Sequence, residues 1–418
     1  MQTEVQPGAT ERVDLSRSRA GMIKQFTVRA ARSWIARDVI APILITRLML
    51  TLVAWLALES FQNLPRSSGA WEIKGNGRLE PMGQHLSPKN YPVVNIWSRW
   101  DSGWYHEIAK KGYSFTPGRQ SSAAFFPAYP MLMRAVHFFS PSKTDASWMI
   151  CGIIVSNLAL LAAMIYLALL HRLDSDEETA SRSVLYYLVF PTTLFLSAVY
   201  SEALFLAVTV AAFFHARRNQ WVWAGVFAGV ATLTRSPGVL LLPALLVEYL
   251  AQRRFRWREI SFDLAPLAII PACLVGHMLY FRWRFGNALA TQAAQDAWSD
   301  EWGRLTWPWA PFVRLVEQPW FFNDGMNFIF CVVILALTVL AAAWLRPSYG
   351  VYAAMCYVFV TSWGSLESVP RYLLMIFPAF LILGRLGSNR LFHRAYLCVG
   401  SGLAAFFIIR FALWRWVA

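Results

Sequence analysis

The sequence predicts an all-α polytopic membrane protein. Hydrophobic residues make up 57% of its 418 residues and charged residues only 15%, and apolar runs long enough to cross a bilayer recur along most of the chain. The basic residues, which give a net charge of +14, stand in short clusters between those runs. Charge in that arrangement is typical of membrane topology signals rather than of a nucleic-acid surface. We therefore expect no nucleic-acid partner.

The apolar runs predict about eleven membrane-spanning helices. Several runs are short, as in helix bundles whose helices end at a buried cavity. Their approximate cores are 39–58, 148–170, 183–199, 201–216, 221–234, 236–252, 262–282, 326–345, 349–364, 371–385 and 395–414.

The pattern of loops predicts the domain organisation. Residues 1–38 carry seven basic residues and no apolar core, so we expect a cytosolic basic tail rather than a cleaved signal peptide. Residues 39–418 are predicted to form a single transmembrane domain. With the tail in the cytosol, the short Arg-rich loops also lie there, and the long loops 60–147 and 284–325 lie outside. The large first external loop is expected to contain interfacial helices and the functional motif.

The cysteines indicate neither a disulfide framework nor a metal site. All five lie in apolar runs and none forms a Cys-x-x-Cys pair. No cluster of His, Asp or Glu stands at metal-ligand spacing, so we expect no metal and no cofactor. The five are Cys151, Cys273, Cys331, Cys356 and Cys398.

Composition gives an indication of the compartment. Arginine outnumbers lysine by 32 to 6, and the chain contains no Asn-x-Ser/Thr sequon although a large external loop is predicted. Both features favour a bacterial plasma membrane. We therefore expect an integral protein of that membrane with its active site on the outer, non-cytosolic face.

Asp101 is the carboxylate on which the functional argument begins, because it stands among aromatic residues beside an apolar phase. If residues 97–110 form one helix, Trp97, Trp100 and Trp104 share an apolar stripe next to it. Such neighbours exclude water and favour the protonated carboxyl group. The pattern predicts a general base at the membrane surface.

Four further ionisable residues stand at the outer ends of predicted spans, as Asp101 does. They are Glu202, Arg235, Glu367 and Arg371. Separate segments thus bring charged groups to one face, which is what a site assembled at a membrane surface requires.

Each of these charges also has a purely structural interpretation. Asp101 suits a solvated position or a pair with Arg99, and Glu202 with Arg235 suits a buried bridge. Glu367 and Arg371, four residues apart, suit the closing of a helix end. The sequence leaves both interpretations open.

A series of short motifs resembles the PIG-V mannosyltransferases, the family of the enzyme that adds the second mannose in glycosylphosphatidylinositol assembly. The resemblance covers most of the chain from about residue 40 onward. It implies a GT-C-like helix bundle, a catalytic Asp in the first external loop and a polyprenyl- or dolichyl-phosphate mannose donor. The motifs, in order, are Trp100-Asp101, Ile108-Ala109, Gly112-Tyr113, Ala124-Phe125-Phe126-Pro127, Phe190-Pro191, Tyr200-Ser201-Glu202 and Thr234-Arg235-Ser236-Pro237-Gly238.

A mechanistic hypothesis follows that assigns roles to the candidate residues. Asp101 would accept the proton of an acceptor hydroxyl while the anomeric carbon inverts, and Arg371 or Arg235 would hold the leaving phosphate. Tyr372 and Glu202 are candidates for sugar contacts, and Glu202 is the alternative base. The other predicted substrate-binding residues are Arg99, Trp100, Trp104, Tyr105, His106, Tyr113, Tyr200 and Glu367.

The expected partners are a polyprenyl-phosphate mannose donor, membrane lipids and an acceptor that the sequence does not identify. A transporter or flippase of lipid-linked saccharide is one alternative, although the span centres are nearly uncharged apart from Arg47. A non-catalytic assembly subunit is a second. A third keeps the enzyme and changes the sugar to arabinose or glucose.

Overall fold

Most of the described chain is helical, which confirms the all-α, polytopic prediction. The structure, a computed structural model, describes residues 34–61, 71–73, 79–81, 91–297, 306–317, 322–362, 366 and 368–417. One small antiparallel ribbon departs from it, formed by β1 (Trp71–Ile73) and β2 (Leu79–Pro81).

Seventeen α-helices lie in the described residues. In chain order they are α1 (Ala41–Ser60), α2 (Pro92–Trp97), α3 (Ser102–Lys111), α4 (Ala128–Phe138), α5 (Asp145–His171), α6 (Glu177–Leu188), α7 (Glu202–Arg217), α8 (Trp221–Thr232), α9 (Leu241–Gln252), α10 (Ile269–Phe285), α11 (Ala290–Gln295), α12 (Ala310–Glu317), α13 (Phe322–Trp344), α14 (Pro347–Thr361), α15 (Val369–Tyr372), α16 (Phe377–Leu386) and α17 (Arg390–Ala412).

Shorter helical turns extend or connect several of these helices. A π-helical segment, Ala36–Ile40, leads into α1. The 3₁₀ turns are Ser122–Ala124, Thr193–Leu196, Ser236–Leu240, Trp257–Glu259, Phe262–Ala268 and Leu373–Met375.

Five described helical segments are long and apolar enough to cross a membrane, and a bent pair brings the number to six. The predicted count of about eleven is therefore not confirmed, although each predicted core coincides with helical structure. Two shorter apolar helices, Trp221–Thr232 and Ser236–Gln252, accompany them. The five segments are Ala36–Ser60, Asp145–His171, Phe262–Phe285, Asn323–Trp344 and Arg390–Ala412.

The core of the bundle surrounds α7. Every residue of this helix except His215 and Arg217 is buried, and a helix that is apolar on all sides belongs in the interior of a bundle. Helices α5 and α8 pack against it. Glu202, the first residue of α7, is thereby fixed at one end of the bundle.

The predicted continuous helix over 97–110 is wrong. Helix α2 ends at Trp97 and α3 begins at Ser102, and between them Trp100 adopts a positive φ of 51°. A bulky residue pays about 1–2 kcal/mol for that conformation, so packing elsewhere must stabilise it. Asp101 immediately precedes α3, and the tryptophans do not form one helical stripe beside it.

Two of the predicted spans are broken. The run 183–199 contains the end of α6 and then a 3₁₀ turn. The run 371–385 bends by 84° between Val369–Met375 and Phe377–Leu386, where Pro378 occupies the start of α16 and has no backbone N–H to donate. These breaks bring irregular backbone, and the side chains on it, into the bundle.

Arg47 donates hydrogen bonds to the backbone carbonyls at the first of these breaks. Its guanidinium donates to the carbonyls of Leu188 and Thr193, each at 2.9 Å, and to the hydroxyls of Thr193 and Ser197 at 2.9 and 3.3 Å. The side chain is buried. Arg47, the one clear charge at a predicted span centre, therefore replaces hydrogen bonds that the broken helix cannot make for itself.

Replacing Arg47 with Met is expected to destabilise the fold by about 3 kcal/mol, because it leaves buried carbonyls without donors. Thermal melting of the detergent-solubilised protein measures the loss. The matched control is Arg256→Met, since Arg256 is largely exposed, and its melting temperature should not change. Equal melting of the two variants would contradict the assignment.

Candidate functional site

Four charged side chains from four separate segments meet at one end of the bundle. The Asp101 Oδ2 atom lies 2.9 Å from Nη1 of Arg371. The Nε of Arg371 contacts Oε1 of Glu202, and Nη1 of Arg235 lies 2.7 Å from the same oxygen. The structure thus brings together residues that the sequence placed at the ends of separate predicted spans.

The burial of this cluster differs from one carboxylate to the other. The Glu202 side chain is only 1% exposed, and its Oε2 has no hydrogen-bond partner among the described residues. The Asp101 side chain is 17% exposed. Two carboxylates and two guanidiniums leave the group formally neutral, as a buried cluster of charges needs to be. Asp101 is its accessible acid.

Two tyrosines line the cluster, Tyr105 of α3 and Tyr200 just before α7. The hydroxyl of Tyr105 lies 2.8 Å from that of Ser201, which also accepts from Arg235 at 3.1 Å. The backbone N–H of Asp101 donates to the Tyr200 hydroxyl at 3.3 Å, and the Arg371 guanidinium lies 4.7 Å from the Tyr200 ring. Both tyrosines, which were predicted site residues, lie within the network.

Arg371 and Tyr372, which are adjacent on helix α15, have different partners in the cluster. Arg371 reaches Asp101, whereas the Tyr372 ring lies 5.6 Å from the guanidinium of Arg235. The hydroxyl of Thr192 donates to the carbonyl of Pro370 at 2.7 Å and so ties this short helix to the first broken span. No sequence pattern indicates that bond, because it joins residues 178 positions apart.

Close packing of two backbone segments, the turn after Arg235 and the end of α8, positions Arg235. The 3₁₀ turn that follows it, Ser236–Leu240, lies so near the end of α8 that a Cβ on Gly238 would stand 2.4 Å from the backbone N of Thr232 and 2.5 Å from the carbonyl O of Ala231. Only glycine fits there. The glycine of the predicted Thr-Arg-Ser-Pro-Gly motif thus holds the turn that carries the arginine.

Ala412, Trp414 and Trp416 pack around the turn before Asp101. Trp100 lies edge-on to Trp414 and Trp416, with ring centroids 5.5 and 5.3 Å apart. Arg99 is buried, donates to the carbonyl of Ala412 at 3.2 Å and lies 4.5 Å from the Trp414 ring. Arg99 and Trp100, predicted to bind substrate, are therefore in contact with the end of the chain. These contacts stabilise the positive φ of Trp100.

Three other predicted residues lie outside the charged cluster. His106 pairs with Asp145 at 2.9 Å, the hydroxyl of Tyr113 donates to the carbonyl of Phe125 at 2.8 Å, and Trp104 stacks on the Phe125 ring. These contacts join α3 to its neighbours. Glu367, the remaining prediction, lies outside the described residues.

The described residues contain no group of three or more His, Cys, Asp or Glu side chains that could hold a metal ion. The chemistry that the cluster itself offers is acid–base and electrostatic. It has one accessible carboxylate to accept a proton and two guanidiniums to bind an anion.

A family model described as Mannosyltransferase (PIG-V) matches residues 87–257. The resemblance to PIG-V mannosyltransferases that the motifs predicted is thereby confirmed over these residues, which are less than half of the chain. The matched region contains Asp101, Glu202 and Arg235, whereas Arg371 lies beyond it.

Individual relatives carry related names. A protein of Mus musculus described as GPI alpha-1,6-mannosyltransferase 2 is 30% identical over 155 residues, which cover 36% of this chain and 31% of the relative. GPI mannosyltransferase 2 of Yarrowia lipolytica is 26% identical over 226 residues, which cover 51% of this chain and 60% of the relative. The matches thus span about a third of the mouse relative and less than two thirds of the yeast one.

Two solved structures are also similar to this chain. The Archaeoglobus fulgidus oligosaccharyltransferase in the apo form is 11% identical, with a TM-score of 0.48, over 90% of this chain and 56% of that chain. ArnT from Cupriavidus metallidurans in the apo state is 15% identical, with a TM-score of 0.44, over 85% of this chain and 60% of that chain.

Gly238→Ala is expected to lower the free energy of unfolding by about 1–3 kcal/mol, because the new methyl group overlaps backbone atoms that cannot move aside easily. Gly276→Ala is the matched control, since a Cβ there meets nothing within 4 Å and lies inside a helix. It should leave stability unchanged or raise it by up to about 1 kcal/mol. Thermal melting compares the two, and a loss of stability in both, or in neither, would refute the close approach.

Proposed function

We propose that this protein is a membrane glycosyltransferase that transfers a hexose, mannose in the first instance, from a polyprenyl-phosphate-linked donor to an acceptor on the outer face, with inversion. The observation that carries the proposal is the Asp101–Arg371–Glu202–Arg235 network, with Asp101 at its accessible edge. The match to the PIG-V family model supports it.

Asp101 is proposed as the general base. Its carboxylate would take the proton of the acceptor hydroxyl as that oxygen bonds to the anomeric carbon. The bond between that carbon and the phosphate oxygen breaks at the same time, and the phosphate leaves with the electron pair. Attack from the face opposite the leaving group inverts the centre.

Arg235 and Arg371 are proposed to bind the phosphate of the donor. Both guanidiniums lie beside Glu202, and Arg235 makes its contacts with Glu202 and Ser201 through Nη1 alone. Charge-assisted bonds to phosphate strengthen as negative charge develops on the leaving group. A phosphate that draws Arg371 away from Asp101 would also release the carboxylate, so that donor binding prepares the base.

Glu202 is proposed to hold the arginines rather than to accept the proton. Its Oε1 already contacts both guanidiniums, and its side chain is 1% exposed against 17% for Asp101. A proton on Glu202 would weaken both contacts. The remaining oxygen, Oε2, is buried and has no hydrogen-bond partner among the described residues. We propose a sugar hydroxyl as its partner, with Tyr372 beside Arg235 as the second sugar contact.

The placement of charges along α7 supports an outer-face site. Glu202 begins this helix in the cluster and Arg217 ends it, so the short Arg-rich loop that follows lies at the opposite end of the bundle. Short loops rich in arginine lie on the cytosolic side. The cluster then faces the opposite compartment, which we propose is outside a bacterial plasma membrane.

Asp101→Asn is expected to lower the transfer rate by about a hundredfold to ten-thousandfold, because the variant keeps its shape but loses the proton acceptor. Purified protein would be assayed with polyprenyl-phosphate mannose and an extract of membrane glycolipids as the acceptor pool, at matched protein level. Glu178→Gln, which alters an exposed carboxylate, is the control and should keep its activity.

Near-normal turnover by Asp101→Asn would reject the base assignment. Absence of transfer by the unaltered protein, with lipid-linked saccharide moved across vesicles instead, would favour a flippase. Absence of both activities would favour an assembly subunit.

Arg235→Gln is expected to raise the KM for the donor about tenfold to a hundredfold, because it removes a charge-assisted bond to phosphate that is worth about 1.5–3 kcal/mol. Arg256→Gln removes an exposed arginine elsewhere and is the control. Initial rates at varied donor concentration give KM. An unchanged KM in Arg235→Gln would show that the donor phosphate does not contact this arginine.

A further inference from the structure

A cavity with polar and apolar lining lies at the opposite end of the bundle from Asp101. It has a volume of about 190 Å³ and lies where α5, α13 and α16 end and α14 begins. Polar side chains line one part of the cavity and apolar side chains the other. The lining residues are His171, Asp174, Trp344, Leu345, Arg346, Tyr349, Leu381 and Arg385.

We propose that this cavity binds a phosphate-type anion, supplied either by the phosphodiester headgroup of an anionic lipid or by free phosphate. The proposal does not depend on the glycosyltransferase function, because none of the lining residues belongs to the Asp101 cluster. Nothing in the sequence pattern indicated it, since the residues come from three separate parts of the chain.

The charges around the cavity leave one arginine without a carboxylate. Arg217 binds Asp174 through two contacts of 2.5 and 2.7 Å, and Arg346 lies 2.9 Å from the buried Glu248. Among the described residues, Arg385 contacts no carboxylate; its Nη1 donates to the Trp344 carbonyl at 2.8 Å. Three guanidiniums thus accompany two carboxylates. A bound anion would balance the remaining charge.

His171 supplies an independent observation. It is only 1% exposed, its Nδ1 lies 2.8 Å from the Ser183 hydroxyl, and its Nε2 has no hydrogen-bond partner among the described residues. Buried polar atoms of this kind are rare in folded proteins unless a ligand or water satisfies them. Because His171 lines the cavity, an oxygen of the bound anion is the partner that we assign to Nε2.

The first turn of α14 adds a favourable field. This helix begins at Pro347, directly after Arg346, and Tyr349 of its first turn lines the cavity. The amino end of a helix carries partial positive charge and N–H groups that suit an anion.

The surroundings favour a lipid as the source of the anion. Trp344 is 50% exposed at the end of a helix long enough to span a membrane, and Leu345 and Leu381 give the cavity an apolar side. Basic pockets between membrane helices bind anionic headgroups in this way. An anionic phospholipid would place its phosphate by Arg385 and its acyl chains along the outside of α13.

Native mass spectrometry of the full chain tests the proposal with phosphatidylglycerol and phosphatidylcholine of identical acyl chains. Unaltered protein is expected to retain phosphatidylglycerol at least about tenfold better, a difference of about 1.4 kcal/mol. Arg385→Gln and His171→Asn should both reduce retention to the phosphatidylcholine level. Arg256→Gln is the control for general attraction by basic residues, because it is exposed, and it should retain the lipid as before.

A parallel arm identifies the source of the anion. Melting temperatures are measured in sodium phosphate and in sodium chloride of equal ionic strength. Stabilisation by phosphate alone, lost in Arg385→Gln and without any lipid preference, would support the site with free phosphate as its ligand. Equal retention of both lipids together with no effect of phosphate would overturn the proposal. Unaltered binding by both variants would also overturn it, and His171→Asn, which keeps every arginine, decides the matter if Arg385→Gln does not fold.

Discussion

The contact of Glu202 with two arginines is the interaction on which the site depends. A carboxylate buried at the start of the central helix α7 loses its hydration, which costs several kcal/mol unless opposite charge replaces it. Arg235 and Arg371 provide that charge from the turn after α8 and from α15. The pair of guanidiniums therefore fixes three separate segments relative to one another. Asp101 supplies the second carboxylate through its contact with Arg371, and this brings the cluster to formal neutrality.

Asp101 and Arg371 both follow residues whose backbone conformation is irregular. Trp100 directly precedes Asp101 and has a positive φ of 51°. Ser368 lies shortly before Arg371 and has a positive φ of 65°. Neither is glycine, so each conformation costs about 1–2 kcal/mol and must be held by its surroundings. Trp414 and Trp416 hold the first. Strain of this kind at both partners of one ion pair is typical of sites whose geometry serves a function rather than stability alone.

The sequence predicted the helical class and the end of the bundle at which the charges gather, but not how they pair. Glu202, Arg235 and Arg371 stand beside apolar runs, and topology alone brings such residues to one level. The prediction of a helix over 97–110 was wrong because tryptophans at helical spacing can also be buried by tertiary contacts. Trp100 contacts a segment more than 300 positions away. The sequence likewise showed Arg47 as a charge within an apolar run. Its hydrogen-bond acceptors could not be predicted, because they are carbonyls at the break in another predicted span.

The neutrality of the Asp101 cluster explains how such a site is stable when no substrate is bound. Each guanidinium already has a carboxylate partner, so no unbalanced charge is buried, and an incoming phosphate exchanges one anion for another instead of adding one to an apolar interior. The exchange is easiest at Asp101, since it is the more exposed carboxylate and has one arginine contact where Glu202 has two. On the proposed function, the acid that gives up its arginine most readily is therefore also the one that must be free to accept a proton.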